Sequence, residues 1–76
     1  MVSAYVLVSV EPGKNEEVLS AMLKVQGLKQ AHPCWGTPDI FSFVDVADTK
    51  SLADTVLTTI QSISGVRGTE THVVID

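Results

Sequence analysis

With 76 residues, 45% of them apolar, the chain has material for one small globular domain and too little for two cores. Its net charge of -4, with the few cations scattered at Lys14, Lys24, Lys29, Lys50 and Arg67, excludes a phosphate-neutralising surface and with it direct DNA or RNA binding. One cysteine excludes an internal disulfide, and Cys34, His32 and His72 are too few for a structural zinc site. A chain this short buries only about 60% of its unfolded surface, so the staple left to it is oligomerisation.

The first run, SAYVLVSV over residues 3–10, is β-branched and apolar on both faces. Ala4, Val6, Val8 and Val10 share one face and Tyr5 and Leu7 the other, which predicts a strand covered on both sides. The N-terminal MVSAYVLVSV is too short to span a membrane and lacks the basic flank and cleavage site of a secretion signal; with a single thiol, this points to the cytoplasm. EPG breaks the strand. KNEEVLSAMLKV then spaces Val18, Leu19, Met22 and Leu23 as one helical face, with Glu16 and Glu17 in the first turn where the helix dipole favours acids. Gly27 is the expected C-terminal stop.

LKQAHPCW reads as a weaker strand, because Pro33 cannot donate to a ladder and belongs on an edge or at a bulge. DIFSFVDV is a firmer one, with Phe41 and Phe43 on one face and Ile40, Val44 and Val46 on the other. DTKSLADTVLTTIQSI sets Leu52, Val56, Leu57, Ile60 and Ile63 along a second helix, after Asp48 or Thr49 as N-cap. Gly65 closes it, and GTETHVVI ends the chain as a strand. The order β-α-β-β-α-β predicts an α+β, ferredoxin-like fold: two helices on one face of a four-stranded antiparallel sheet, with the second and fourth strands at its edges. The other face has no helix to cover it, and its apolar residues predict a dimer that forms sheet to sheet.

Few residues can carry chemistry. His32 and Cys34 share a strand face but lack the further ligands a metal needs, and no base or cation is identifiable to activate the thiol. No metal and no cofactor is expected. Trp35 is expected to pack in the core or at an interface. Glu16 with Glu17 and Asp45 with Asp48 read as solvated helix ends or loop rim, and Thr69 and Thr71 share a face of the last strand. The stretch CWGTPDI is a tight turn in which Gly36 frees the backbone, Pro38 fixes a bend and Asp39 can bond back to free amides. At a sheet rim the same turn suits a small zwitterion, its carboxylate attracting an ammonium and the amides of Gly36 and Thr37 a carboxyl group.

AYVLVSVEPGK at the start, GTPDIFSFVDV in the middle and SISGVRGTETHVVI at the end, with helices of matching length between them, resemble the effector-binding (RAM) domain of the Lrp/AsnC family of transcriptional regulators. The resemblance covers essentially the whole chain, and the order and spacing of the three motifs make it specific. It implies a ferredoxin-like protomer that dimerises through its sheet and assembles into octamers or decamers, with amino-acid effectors bound in clefts between dimers. The family's turn is Gly, any residue, an aromatic, then Asp, so its ligand-contacting role carries to Gly36, Thr37 and Asp39. The last-strand pattern carries it to Thr69, Thr71 and His72. Pro38 stands where the family has Tyr or Phe, His72 where Tyr is common and Glu70 where Arg is frequent, so the pocket wall and the contacts between dimers are altered. No helix-turn-helix segment precedes Val2, which makes residues 1–76 read as a stand-alone effector domain.

The function expected is a non-enzymatic, amino-acid-binding oligomer that modulates transcription of amino-acid metabolism, with full-length Lrp/AsnC-type regulators as partners. Two other readings share the fold: a dimeric α/β-barrel enzyme of the antibiotic-monooxygenase type, for which Trp35, His32 and His72 are the candidates, and a purely structural assembly module.

Overall fold

Side-chain alternation along the first strand sets the frame of the molecule. In the computed structural model, which describes residues 1–75, strand β1 (Val2–Val10) turns Ala4, Val6, Val8 and Val10 inward, while Tyr5 on the opposite face stays 51% exposed. Helix α1 (Asn15–Met22), strands β2 (Leu28–Pro33) and β3 (Ile40–Val46), helix α2 (Thr49–Ala53) and strand β4 (Val66–Val73) follow. The sheet order is β2-β3-β1-β4 with every neighbouring pair antiparallel, the ferredoxin-like plan. Pro33 ends edge strand β2, where its missing N–H is tolerated.

The helices cover one face. Val18 and Met22 of α1, with Leu52, Val56 and Ile60 of the second helical stretch, bury against Ala4, Val6, Val8, Ile40 and Val44. Burial of each such side chain contributes about 1.5–3 kcal/mol. Ser42 occupies one inward position of β3 among these apolar groups, and its Oγ donates to the Val6 carbonyl at 2.7 Å, which satisfies a hydroxyl that would otherwise be costly there.

Both helices depart from their sequence expectation. Helix α1 stops at Met22, five residues before Gly27. Lys24 N–H bonds Ala21 O and Val25 N–H bonds Met22 O, so the coil tightens and leaves Leu23 59% exposed instead of in the apolar stripe. Gly27 serves the reversal into β2: its φ is +95°, and a Cβ there would lie 2.8 Å from Val46 Cγ1. Gly27→Ala is expected to lower stability by roughly 2–4 kcal/mol, from the left-handed backbone and the clash together, read as a fall in the urea midpoint.

Asp48 is the N-cap of α2, with Oδ1 accepting from Ser51 N–H at 2.7 Å. That backbone bond, aided by the Ser51 side chain, holds the Asp48 carboxyl below its ordinary range, so its contribution is present at neutral pH and fades as acid protonates it. The helix then widens into a π-helical segment (Asp54–Ile60), closed by a 3.0 Å bond from Gln61 N–H to Val56 O. Leu52 of α2 and Val56 and Ile60 of this underwound coil, four apart, point inward together, while Ile63 packs beyond the helix and is partly buried. The side chain of Leu57 lies outside the described residues.

The sheet's other face carries Tyr5 opposite Phe43 and Leu7 opposite Phe41. The Tyr5 and Phe43 rings are 5.0 Å apart and tilted, and Phe41 is 43% exposed. Gln30 and His32 of β2 flank this patch on one side, Glu70 and His72 of β4 on the other.

Candidate functional site

The turn between β2 and β3 is built around Asp39. Cys34 N–H donates to the Asp39 carbonyl at 2.7 Å, closing a loop in which Gly36 has φ +129° and the Thr37–Pro38 peptide is cis. Asp39 N–H donates to Val8 O at 3.0 Å, where the β1–β3 ladder ends with the pair Val8 and Ile40. The next inward amide of β1, Val10 N–H, then donates to Asp39 Oδ2 at 2.9 Å. A side chain thus takes over from the ladder, and the carboxylate is locked at the rim of the sheet.

Across β1 the pairing with β4 slips. Ser9 faces Gly68 and Val10 faces Val66, so Arg67 is the extra residue of a β-bulge, a feature that re-aims a side chain. Ser9, Pro12 and Asn15 from one side, Thr37 and Asp39 from the turn, and Arg67 and Gly68 from β4 enclose an open cleft of about 630 Å³. Among the described residues the one Lys or Arg ion pair is Lys14 with Glu17, and Glu70 is hydrogen-bonded to His72, so Asp39 and Arg67 face one space without pairing.

Of the six residues expected at the site, Thr37 and Asp39 line this cleft; Gly36 belongs to the same turn, with open space where a Cβ would stand. The other three sit elsewhere in the single chain. Thr69 and Thr71 pair with the inward residues Val8 and Val6, and Thr69 Oγ1 accepts from Gln61 Nε2 at 2.7 Å. His72 is on the uncovered face, bonded to Glu70 at 2.9 Å. Trp35, expected in the core or at an interface, is fully exposed at the tip of the turn, so the core half of that expectation is wrong: the six-residue loop 34–39 lifts it off the sheet. Arg67, Asn15 and Ser9 join the cleft without any motif pointing to them. Gly68 was the available signal for Arg67, since a glycine inside a strand pattern marks a bulge.

A second opening of about 510 Å³ lies at the far end of the sheet beside Met1, Lys29, Asp45 and Asp54. It holds none of the turn residues, and Asp45 Oδ1 is already bonded by Ser3 Oγ at 2.9 Å. Among the described residues no three of His, Cys, Asp and Glu gather as a metal site, and no helix is long and apolar enough to cross a membrane.

Solved structures share this architecture. A Thermus thermophilus protein superposes with TM-score 0.95 at 25% identity, over 100% of this chain and 95% of its own. E. coli AsnC matches with TM-score 0.92 at 20% identity, and a Neisseria meningitidis transcriptional regulator solved as a complex with L-Met matches with TM-score 0.87 at 21% identity. Each covers 99% of this chain, which spans about half of theirs: 51% and 50%. No curated protein sequence matches at a significant level. Residues 3–76 match the family model of the Lrp/AsnC ligand binding domain, and the chain belongs to that family.

Proposed function

We propose that this chain is a single, non-enzymatic effector-binding domain that binds an amino acid at the rim cleft and modulates transcription of amino-acid metabolism through its state of assembly. The observation that carries the reading is the cleft itself, where the family's turn contributes Thr37 and a carboxylate, Asp39, already fixed by Val10 N–H. The N. meningitidis regulator, of the same fold, was solved with L-methionine, which supports an amino acid as the class of ligand.

Assembly begins with a second copy of the chain on the Tyr5, Leu7, Phe41 and Phe43 face, an apolar surface that a soluble protein does not leave bare. Thr69, Thr71 and His72, which do not reach the cleft in one chain, serve as a wall offered to a neighbouring dimer, and full-length Lrp/AsnC-type regulators are the heteromeric partners. The positions of Trp35, His32 and His72 also favour binding over catalysis. An α/β-barrel enzyme of the monooxygenase type needs such side chains between sheet and helices, and here Trp35 stands on an exposed turn while both histidines pair with residues of the helix-free face.

Thermal unfolding against the proteinogenic amino acids tests the proposal. At least one is expected to raise the unfolding temperature, because a ligand at 100 times its Kd adds about 2.7 kcal/mol of stability. A flat response to all of them sinks it.

A further inference from the structure

We propose that Arg67 is the carboxylate-binding residue of the rim cleft and that Arg67 and Asp39 together select a zwitterion. The inference rests on the amino-acid-binding reading and deepens it by naming the residue that recognises the acid end. The cleft lining holds one acid, Asp39, and one base, Arg67. Ion pairing does not cancel them: Asp39 is tied by Oδ2 to Val10 N–H, and neither charge appears in an ion pair among the described residues.

A carboxylate held by Val10 N–H and an exposed guanidinium lining the same opening match a ligand with both charges. A simple anion would leave Asp39 unmatched, and a simple cation would leave Arg67 unmatched. The guanidinium fork suits a carboxylate, to which it can donate two parallel hydrogen bonds, and Asp39 Oδ1 makes no hydrogen bond among the described residues and is free to accept from an ammonium. The bulge supplies the geometry. Val66 and Gly68 take the ladder partners Val10 and Ser9, so Arg67 is released from the register of the sheet at the point where Asp39 ends the opposite ladder.

Calorimetry with three forms of one ligand decides the matter. L-methionine is the first probe, followed by the other proteinogenic amino acids; for whichever binds, the methyl ester removes the carboxylate charge and the N-acetyl form removes the ammonium. The parent protein is expected to prefer the free amino acid over both. Arg67→Met should weaken the free amino acid by roughly 10- to 150-fold and leave the ester unchanged, so that the preference between them disappears. Arg67→Lys, which keeps the charge but not the fork, should retain part of that preference. If Arg67→Met binds the free amino acid as the parent does, or keeps the parent's ratio of acid to ester, Arg67 is not the carboxylate partner, and the amino-acid reading stands without it. If the parent binds no amino acid at all, both readings fall together.

Discussion

An aspartate at Tyr5 or Leu7 is expected to abolish the sheet-to-sheet assembly proposed above before it disturbs the helices. Both side chains belong to the face opposite the core, where they meet Phe43 and Phe41 across the β1–β3 ladder. Tyr5 is 51% exposed in the single chain, so a charge there is well tolerated until a second sheet covers it. Once covered it would be an unpaired buried charge, and an uncompensated charge of that kind, as is left when a buried pair loses one partner, costs about 3–5 kcal/mol, enough to dissolve a small interface. Sedimentation should give the parent as a dimer or larger, and the Tyr5→Asp and Leu7→Asp variants as monomers with an unchanged helical circular-dichroism signal. A stable parent species of 8.1 kDa at micromolar concentration would show that this face needs no partner.

Asp39→Asn should weaken amino-acid binding by roughly 10- to 150-fold, the range that follows from losing a hydrogen bond to a charged group worth about 1.5–3 kcal/mol. The substitution isolates charge from shape. Asparagine has the same volume and still offers an oxygen to Val10 N–H, so the end of β1 stays tied to the turn. Assembly should change less than affinity. Gly36→Val should also impair binding, and the cause is the backbone: φ is +129°, which side chains avoid, while nothing stands within 4 Å of the new Cβ. Cys34→Ser should bind nearly as the parent does, because the thiol's hydrogen bond among the described residues is a long one, 3.6 Å to the His32 carbonyl. Were Asp39→Asn to bind every amino acid as well as the parent while Gly36→Val merely lowered stability, the turn would be structural and the ligand would sit elsewhere.

The strands and their faces were legible in the sequence because they rest on a local period. Ala4, Val6 and Val8 alternate with Tyr5 and Leu7, and any extended chain with that alternation sends the first set to one face, here under the helices, and the second to the other. Pro33 marked an edge strand for an equally local reason, its missing donor. Helix lengths were less legible. Nothing in Leu23 itself says that α1 tightens after Met22, since that depends on where Gly27 must stand to let β2 meet β3.

Asp39 was nameable as a functional candidate from the turn motif, but its bond to Val10 was not, and Arg67 looked like one of several scattered cations. Their meeting depends on where two ladders of β1 end: one at Val8, where the Asp39 side chain takes the next inward amide, and one at a bulge that frees Arg67. Residue-by-residue periodicity therefore determined the strands, the inward and outward faces and the apolar surface the helices leave uncovered. Only the register between strands distant in sequence, a property of the packed sheet, decided that a carboxylate and a guanidinium share one cleft while Thr69 and His72 turn to opposite faces.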